Sequence, residues 1–258
     1  MKKYLLLLTF AFLVLSCTNN STNSNAYKYE YLYEDLPFDM PRVQRPTFPN
    51  RSVNLLDYDG NPDGITLNTT AFSNAMSDLS AKGGGTLIVP KGIWFTGPIV
   101  FESNINMNLE KGALILFSPD KSLYPLVETI FEGLETKRCQ SPISGRNLQN
   151  IAITGEGSIN GSGESWRPLK KSKVSDSHWK SVVASGGVVR DDNYWFPSEG
   201  SLKGHEISDM NVPRHDMSEE EWLEIKDFLR PVMVSFIECK NVLLEGVLFE
   251  NSAAWNIH

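Results

Sequence analysis

From Arg230 to His258 the chain alternates short apolar runs, Val232–Ile237, Val242–Leu244 and Val247–Phe249, with Asn, Gly and Glu every few residues. Runs this short, rich in Val, Ile and Phe, read as successive short strands rather than helices. The same texture recurs upstream in Thr86–Val89, Ile93–Phe95, Ile99–Phe101, Ile105–Leu109 and Ala113–Phe117, with Gly, Pro or Asn between them. No long alternating hairpin strands occur, and no Asn-Gly or Asp-Gly turn joins two matched runs. Two stretches have helical spacing instead. Phe72, Ala75, Met76 and Leu79 fall on one stripe, with Thr69 or Thr70 available as N-cap and Gly83-Gly84-Gly85 as the stop. Ser218 with Glu221 makes a capping box, Trp222, Ile225 and Leu229 a stripe, and Pro231 an end.

A frame repeats along the strands. Asn150-Ile-Ala-Ile-Thr-Gly155 and Asn241-Val-Leu-Leu-Glu-Gly246 share Asn–apolar–x–apolar–x–Gly, and Asn104-Ile-Asn-Met-Asn-Leu109 shares all but the glycine. Short repeated strands with Asn or Gly at the corners are what a parallel β-helix requires, each coil burying its inward side chains against the next. The expected fold is therefore all-β, a parallel β-helix of N-terminal coils, with the first helix covering the open coil. A β-sandwich is the alternative, but it calls for longer alternating strands. Residues 162–217 break the repeat with Trp166, Trp179, Trp195 and several glycines. With the second helix they form a long insertion, about 162–229, inside a domain of residues 51–258.

Composition narrows the setting. Hydrophobic residues are 41% and charged residues 21% of 258, enough for a buried core. The formal charge is −7, and −9 once Lys2 and Lys3 are removed with a leader, which argues against nucleic acid as partner. The start is a targeting segment: two lysines, then an apolar run from Tyr4 to Leu15, too short to span a membrane. Val14-Leu15-Ser16-Cys17 resembles a bacterial lipobox, which implies cleavage after residue 16 and lipid on Cys17. The alternative is an ordinary secretory leader. Thr18–Asn25 then reads as a polar tether, and residues 27–50, with four tyrosines and four prolines, as an extended lead-in. The expected location is outside the cytoplasm, in the periplasm or at the cell surface, held to the outer membrane only through lipid. Cys139 and Cys239 show no framework spacing and are read as unpaired.

Candidate chemistry is sparse. There is no zinc spacing, P-loop or dinucleotide fingerprint, so neither metal nor cofactor is expected. Asp191-Asp192 is the insertion's adjacent acid pair, and neighbours on an extended chain point to opposite sides. Glu219-Glu220-Glu221 suits a helix N-terminus, where acids favour the dipole. His178, His205 and His215 have no ligand spacing. Arg167, Lys170, Lys171, Lys173 and Lys180 form a basic cluster in an acidic chain, either a solvated loop or an attraction for an anionic polymer.

Several segments resemble the N-terminal half of the family 28 glycoside hydrolases, the polygalacturonases and rhamnogalacturonan-type hydrolases. They are Gly83–Pro90, Trp94-Phe-Thr-Gly-Pro98, Leu109–Ala113, Ile153-Thr-Gly155 with Ile159-Asn-Gly161, Arg230-Pro231, Asn251-Ser252 and Trp255-Asn-Ile-His258, in this order across residues 52–258. The resemblance implies a right-handed parallel β-helix and inverting hydrolysis of pectic polysaccharide. It also places Trp255 and His258 where that family's cleft begins, although packing suggests a core role for Trp255. Together with Lys170 and Lys171 these are the candidate groove residues. The family's Asn-Thr-Asp-Gly, Asp-Asp, Gly-His-Gly and Arg-x-Lys motifs follow the segment matching Trp255–His258, and the Asp191-Asp192 pair lies well before it, so none of them is matched here. No catalytic residue is therefore carried over, and the 258-residue polypeptide is expected to be inactive by itself. A non-catalytic pectin-binding lipoprotein is the alternative. A calcium-dependent lyase ranks below both, for want of an acidic cluster on strands.

Overall fold

The computed structural model describes residues 29–258 except Met210 and Arg214; the leader, Cys17 and the Thr18–Asn25 tether lie outside the described residues. The chain divides at Val43/Gln44 into two compact units. In the first, Glu30–Tyr33 is a 3₁₀ turn, and Arg42 lies 4.1 Å over the Tyr33 ring and ion-pairs with Glu30.

The second unit opens with β1 (Ser52–Asn54) and helix α1 (Thr69–Ala81). The first coil is β2 (Gly85–Val89), β3 (Gly92–Thr96) and β4 (Ile99–Val100). The second is β5 (Ile105–Leu109) and β6 (Ala113–Phe117), a hairpin of β7 (Leu126–Phe131) and β8 (Leu134–Cys139), then β9 (Ile143–Arg146). The third begins with β10 (Gln149–Gly155) and β11 (Ser158–Asn160). It then departs through β12 (Leu169–Lys170), α2 (Asp176–Ala184), β13 (Val188–Arg190), β14 (Tyr194–Phe196), α3 (Glu199–Ile207), β15 (Ser208–Asp209), β16 (Val212–Pro213) and α4 (Glu219–Glu224). It returns as β17 (Val234–Ile237). The fourth coil is β18 (Lys240–Glu245), β19 (Leu248–Glu250) and a bridge from Ile257 to Val234.

Equivalent strands stack into three parallel sheets, β1-β2-β5-β10-β18, β3-β6-β11-β19 and β4-β9-β17, which wind as a right-handed β-helix. Parallel pairing throughout these faces rules out a sandwich. Period-2 alternation sends every other residue inward, so aligned columns form: Leu87–Met107–Ile153–Leu244 on the first face, Trp94–Ile115–Ile159–Phe249 on the second and Ile99–Ile143–Val234 on the third. Most of these side chains have no exposed surface. Burying each stabilises by about 1.5–3 kcal/mol. Phe72, Ala75, Met76 and Leu79 of α1 join the same core.

The repeated frame has a physical cause. Asn104, Asn150 and Asn241 all adopt left-handed backbone, which asparagine tolerates. They lie one above another, Asn150 Nδ2 donating to Asn104 Oδ1 at 3.0 Å and Asn241 Nδ2 to Asn150 Oδ1 at 2.9 Å. At the frame's other end a Cβ on Gly155 would meet the Leu109 carbonyl oxygen at 2.0 Å, and one on Gly246 the Gly155 oxygen at 2.3 Å. Only glycine permits coils to approach so closely there. Asn150→Ala removes both ladder bonds and leaves alanine at φ 53°, so it is expected to cost about 2–3 kcal/mol in urea unfolding. A loss below about 0.5 kcal/mol, the range of an ordinary surface change, contradicts the ladder's role.

Three local expectations change. The residue before α1 is Asn68, not Thr69 or Thr70, and its side chain does not cap the helix. It is buried and ties Asn61, Thr66 and Phe95 together, while Thr69 Oγ1 accepts from Gly97 N. A hairpin is present after all: β7 and β8 turn through Glu132 and Gly133, both at positive φ, so Glu-Gly replaces the usual Asn-Gly or Asp-Gly. The second helix is short, α4 giving way after Ile225 to a 3₁₀ turn at Lys226–Phe228, though the Ser218–Glu221 capping box forms.

Candidate functional site

Both excursions leave the β-helix at the same corner, between the second and third strands of consecutive coils. They pack together: Cys139 N donates to Leu229 O, Lys137 binds Glu219, and Arg138 Nε donates to Arg230 O at 3.0 Å. The result is a wall beside the third sheet, next to the fourth-coil segment Asn251–His258. Between the hairpin and that sheet lies a cavity of about 320 Å³, lined by residues including Phe131, Arg138, Gln140 and Ser144.

The long excursion is ordered by its aromatics. Trp166 is buried edge-on against Tyr124, and Trp195 Nε1 donates to Gly186 O. Strands β12-β14-β13 form a small antiparallel sheet from which Tyr194 is half-buried. Lys170 Nζ and the Arg190 guanidinium each lie 5.5 Å from the Tyr194 ring centre. His205 of α3 meets Tyr194 edge-on at 5.8 Å and Phe196 at 5.2 Å. Partial burial, then the nearby Arg190, holds its imidazole below the usual histidine range, which favours the neutral ring. Arg167 Nη2 donates to Asn251 Oδ1 at 2.8 Å, and Arg230 Nη1 to Ala253 O at 3.3 Å. Burial lowers the Arg230 pKa, Tyr194 opposes this, and Arg167 adds a smaller lowering. Behind Arg230, Arg138 is 3% exposed. Its guanidinium stacks 3.7 Å over Phe131, gives Nη1 to Asn211 O and has no partner for Nη2. Burial and the adjacent Arg230 push its pKa down to about 9.

The structure thus sets Lys170 beside Tyr194 and Arg167 beside Asn251, whereas the exposed Lys171, Lys173 and Lys180 lie along the 3₁₀ turn 171–173 and α2. Trp255 is not in the core: it is 56% exposed, and Ala253 is buried in its place. The left-handed turn at Asn251 and the bond from Ser252 Oγ to Trp255 O turn the segment so that the indole faces outward. His258 is also exposed, its backbone pairing with Val234. Asp191 and Asp192 are not extended neighbours but the left-handed turn of the β13–β14 hairpin, with Asp191 3.6 Å from Arg190. Glu219–Glu221 form the first turn of α4. His178 and His215 are exposed. Both described cysteines are free; burial pushes the Cys139 thiol up to about 12, which makes it a packing residue. Among the described residues no group of three His, Cys, Asp or Glu is arranged to hold a metal.

Sequence reasoning missed Arg138, Tyr194 and the placement of Arg230. The signal for Arg138 was a charged residue in the Leu134–Cys139 alternation, legible only once the hairpin is known.

No family model matches the chain. A probable polygalacturonase of Vitis vinifera is 38% identical over 124 residues, covering 45% of this chain and 25% of that protein. The exo-poly-alpha-D-galacturonosidase of Dickeya chrysanthemi is 30% identical over 164 residues, 60% of this chain and 26% of that protein. The matches thus span about a quarter of these curated relatives. Among solved structures, a hyperthermoactive exopolygalacturonase from Thermotoga maritima superposes with TM-score 0.61 and 32% identity, over 83% of this chain and 44% of that one. A family 28 exopolygalacturonase of Yersinia enterocolitica, at 22% identity over 79% of this chain and 35% of its own, shares the fold with TM-score 0.54.

Proposed function

We propose, for a chain that belongs with the family 28 polygalacturonases over the part of them it spans, a role in degrading pectic polysaccharide. In this reading it supplies N-terminal coils and a substrate-facing wall for hydrolysis of glycosidic bonds with inversion. The observation that carries it is the match to an exopolygalacturonase over 83% of the chain, at 32% identity. The unpaired cations at the corner support it, because a polyuronate is an anion. We further propose export and lipid anchoring at Cys17, on the leader pattern, so that the domain works in the periplasm or at the cell surface.

Inverting hydrolysis needs one carboxylic acid to protonate the leaving oxygen and one carboxylate to activate water, about 6.5–9.5 Å apart. The general acid's pKa must be raised. Where a described carboxylate's titration is displaced, at Asp63, Asp78, Asp120 and Glu221, it is displaced downward by hydrogen bonds to the ionised form. Such groups hold no proton to give near neutral pH. A second reading for the 258-residue polypeptide by itself is retention of pectic polymer without turnover, since the resemblance carries no acid or base onto its residues. Affinity electrophoresis tests the shared premise: polygalacturonate in the gel is expected to retard the protein and a neutral galactan to leave it unshifted. Equal mobility in both gels contradicts the reading.

A further inference from the structure

We propose that Arg230, with Arg167 and Lys170, forms a subsite for the carboxylate of a uronic acid residue, where Asn251–Ala253 meets the wall. The inference rests on the pectic reading above and deepens it by naming the residues that read the substrate's charge. Its starting point is an uncompensated pair of guanidiniums. Arg230 is half-buried, and among the described residues its guanidinium makes a single hydrogen bond, the 3.3 Å contact to Ala253 O. An arginine has five N–H donors, so most of this fork is unassigned. Arg138, at its back, is buried with Nη2 unpartnered and touches only carbonyls and a ring. Holding two cations away from water without a counter-ion is costly, and each disfavours the other's charge.

Among the described residues the fold gives them no ion-paired carboxylate, Glu132 acting on Arg138 only from a longer range. Among the described residues neither arginine, nor Arg167, nor Lys170, lies within ion-pair distance of an Asp or Glu. This occurs in a chain of formal charge −7, where acids are in surplus. Nearby cations are paired: Arg190 lies 3.6 Å from Asp191 and 3.9 Å from Glu206, and Lys121 is 3.0 Å from Asp227. The local arrangement keeps Arg230 in place rather than neutralising it. Leu229 before it is fully buried, Pro231 follows, and Arg138 holds its carbonyl oxygen. Arg138 is thus a positioning residue, and Arg230 presents the planar fork that matches a carboxylate in two parallel hydrogen bonds. Arg167, braced on Asn251, and Lys170, beside Tyr194, add charge from the excursion side. Tyr194, half-buried beside Lys170, supplies a ring face suited to a pyranose.

Equilibrium dialysis of the full chain against trigalacturonate, its methyl ester and neutral galactotriose tests this. The acid is expected to bind tighter than the ester, and Arg230→Gln to weaken the acid about tenfold or more while leaving the ester unchanged. Arg230→Lys is expected to recover part of the loss, since it keeps the charge but not the fork. Should Arg230→Gln fail to fold, the double variant Arg167→Gln/Lys170→Gln, at two exposed positions, is expected to lose affinity for the acid alone. The control Lys173→Gln/Lys180→Gln should bind as the unaltered chain does. Trigalacturonate binding that survives the loss of Arg230, or that falls as far in the control, overturns the subsite and leaves the pectic reading standing. An unaltered chain that binds none of the three sugars overturns both.

Discussion

Trp94→Ala is expected to lower the unfolding free energy by about 3–5 kcal/mol, against a total of about 5–15 kcal/mol for a typical domain. Trp94 is fully buried at the head of the second-face column, where its register partner is Ile115, followed by Ile159 and Phe249. Its indole Nε1 donates to Pro90 O at 2.7 Å, and a Cβ built on Gly60 would lie 2.9 Å from Cζ3, so the ring has no slack on that side. Truncation loses the transfer energy of the ring, leaves a cavity that the stacked coils cannot close, and orphans the Pro90 carbonyl. Trp255→Ala is the matched comparison. With more than half its surface exposed, its removal is expected to change stability by no more than about 0.5 kcal/mol. Urea unfolding of the two variants checks both. A Trp94→Ala loss below 1 kcal/mol, or equal losses in the two, contradicts the assignment of one ring to the core and the other to the surface.

The coils were legible because inward burial and turn chemistry both leave local marks. The apolar runs at Ile105–Leu109 and Ala113–Phe117 coincide with β5 and β6, and the three aligned Asn frames mark the ladder that staples the first face. Gly83 and Gly84, at positive φ, end α1 as their type requires. What resisted reading depends on partners distant in sequence. The β7–β8 hairpin carries a Glu-Gly turn and packs on residues about ninety positions later, so nothing local announces it. Thr69 or Thr70 reads as the helix cap, but the preceding residue is Asn68, which ties a loop to β3 because its amide meets three carbonyls there. Trp255 reads as core by residue type, yet the bond from Ser252 Oγ to Trp255 O and the burial of Ala253 turn it out. The candidate site was half legible. Lys170 and Arg167 stood out as bases in an acidic chain, while Arg230 gained meaning only when the hairpin placed Arg138 behind it.

The largest expected effect concerns turnover. Glycosidases accelerate hydrolysis by a factor of about a million or far more, through a paired acid and base. In this polypeptide Asp63 accepts from Ile65 N, Thr66 N and Thr66 Oγ1, Asp78 from Lys82 and Tyr58, and Glu221 is engaged in the capping box. These partners stabilise the ionised carboxylates, so each is a poor proton donor at the pH where pectic acid is itself ionised. The family resemblance carries no acid or base onto these residues either. On the reading of retention without turnover proposed above, binding and turnover separate, with the corner cations retaining the polymer. The decisive measurement is the release of reducing ends from polygalacturonate by the purified 258-residue polypeptide. The account predicts release indistinguishable from buffer under conditions where the protein is retained on the polymer. Release at an enzymatic rate would contradict it and place a working acid and base among these residues.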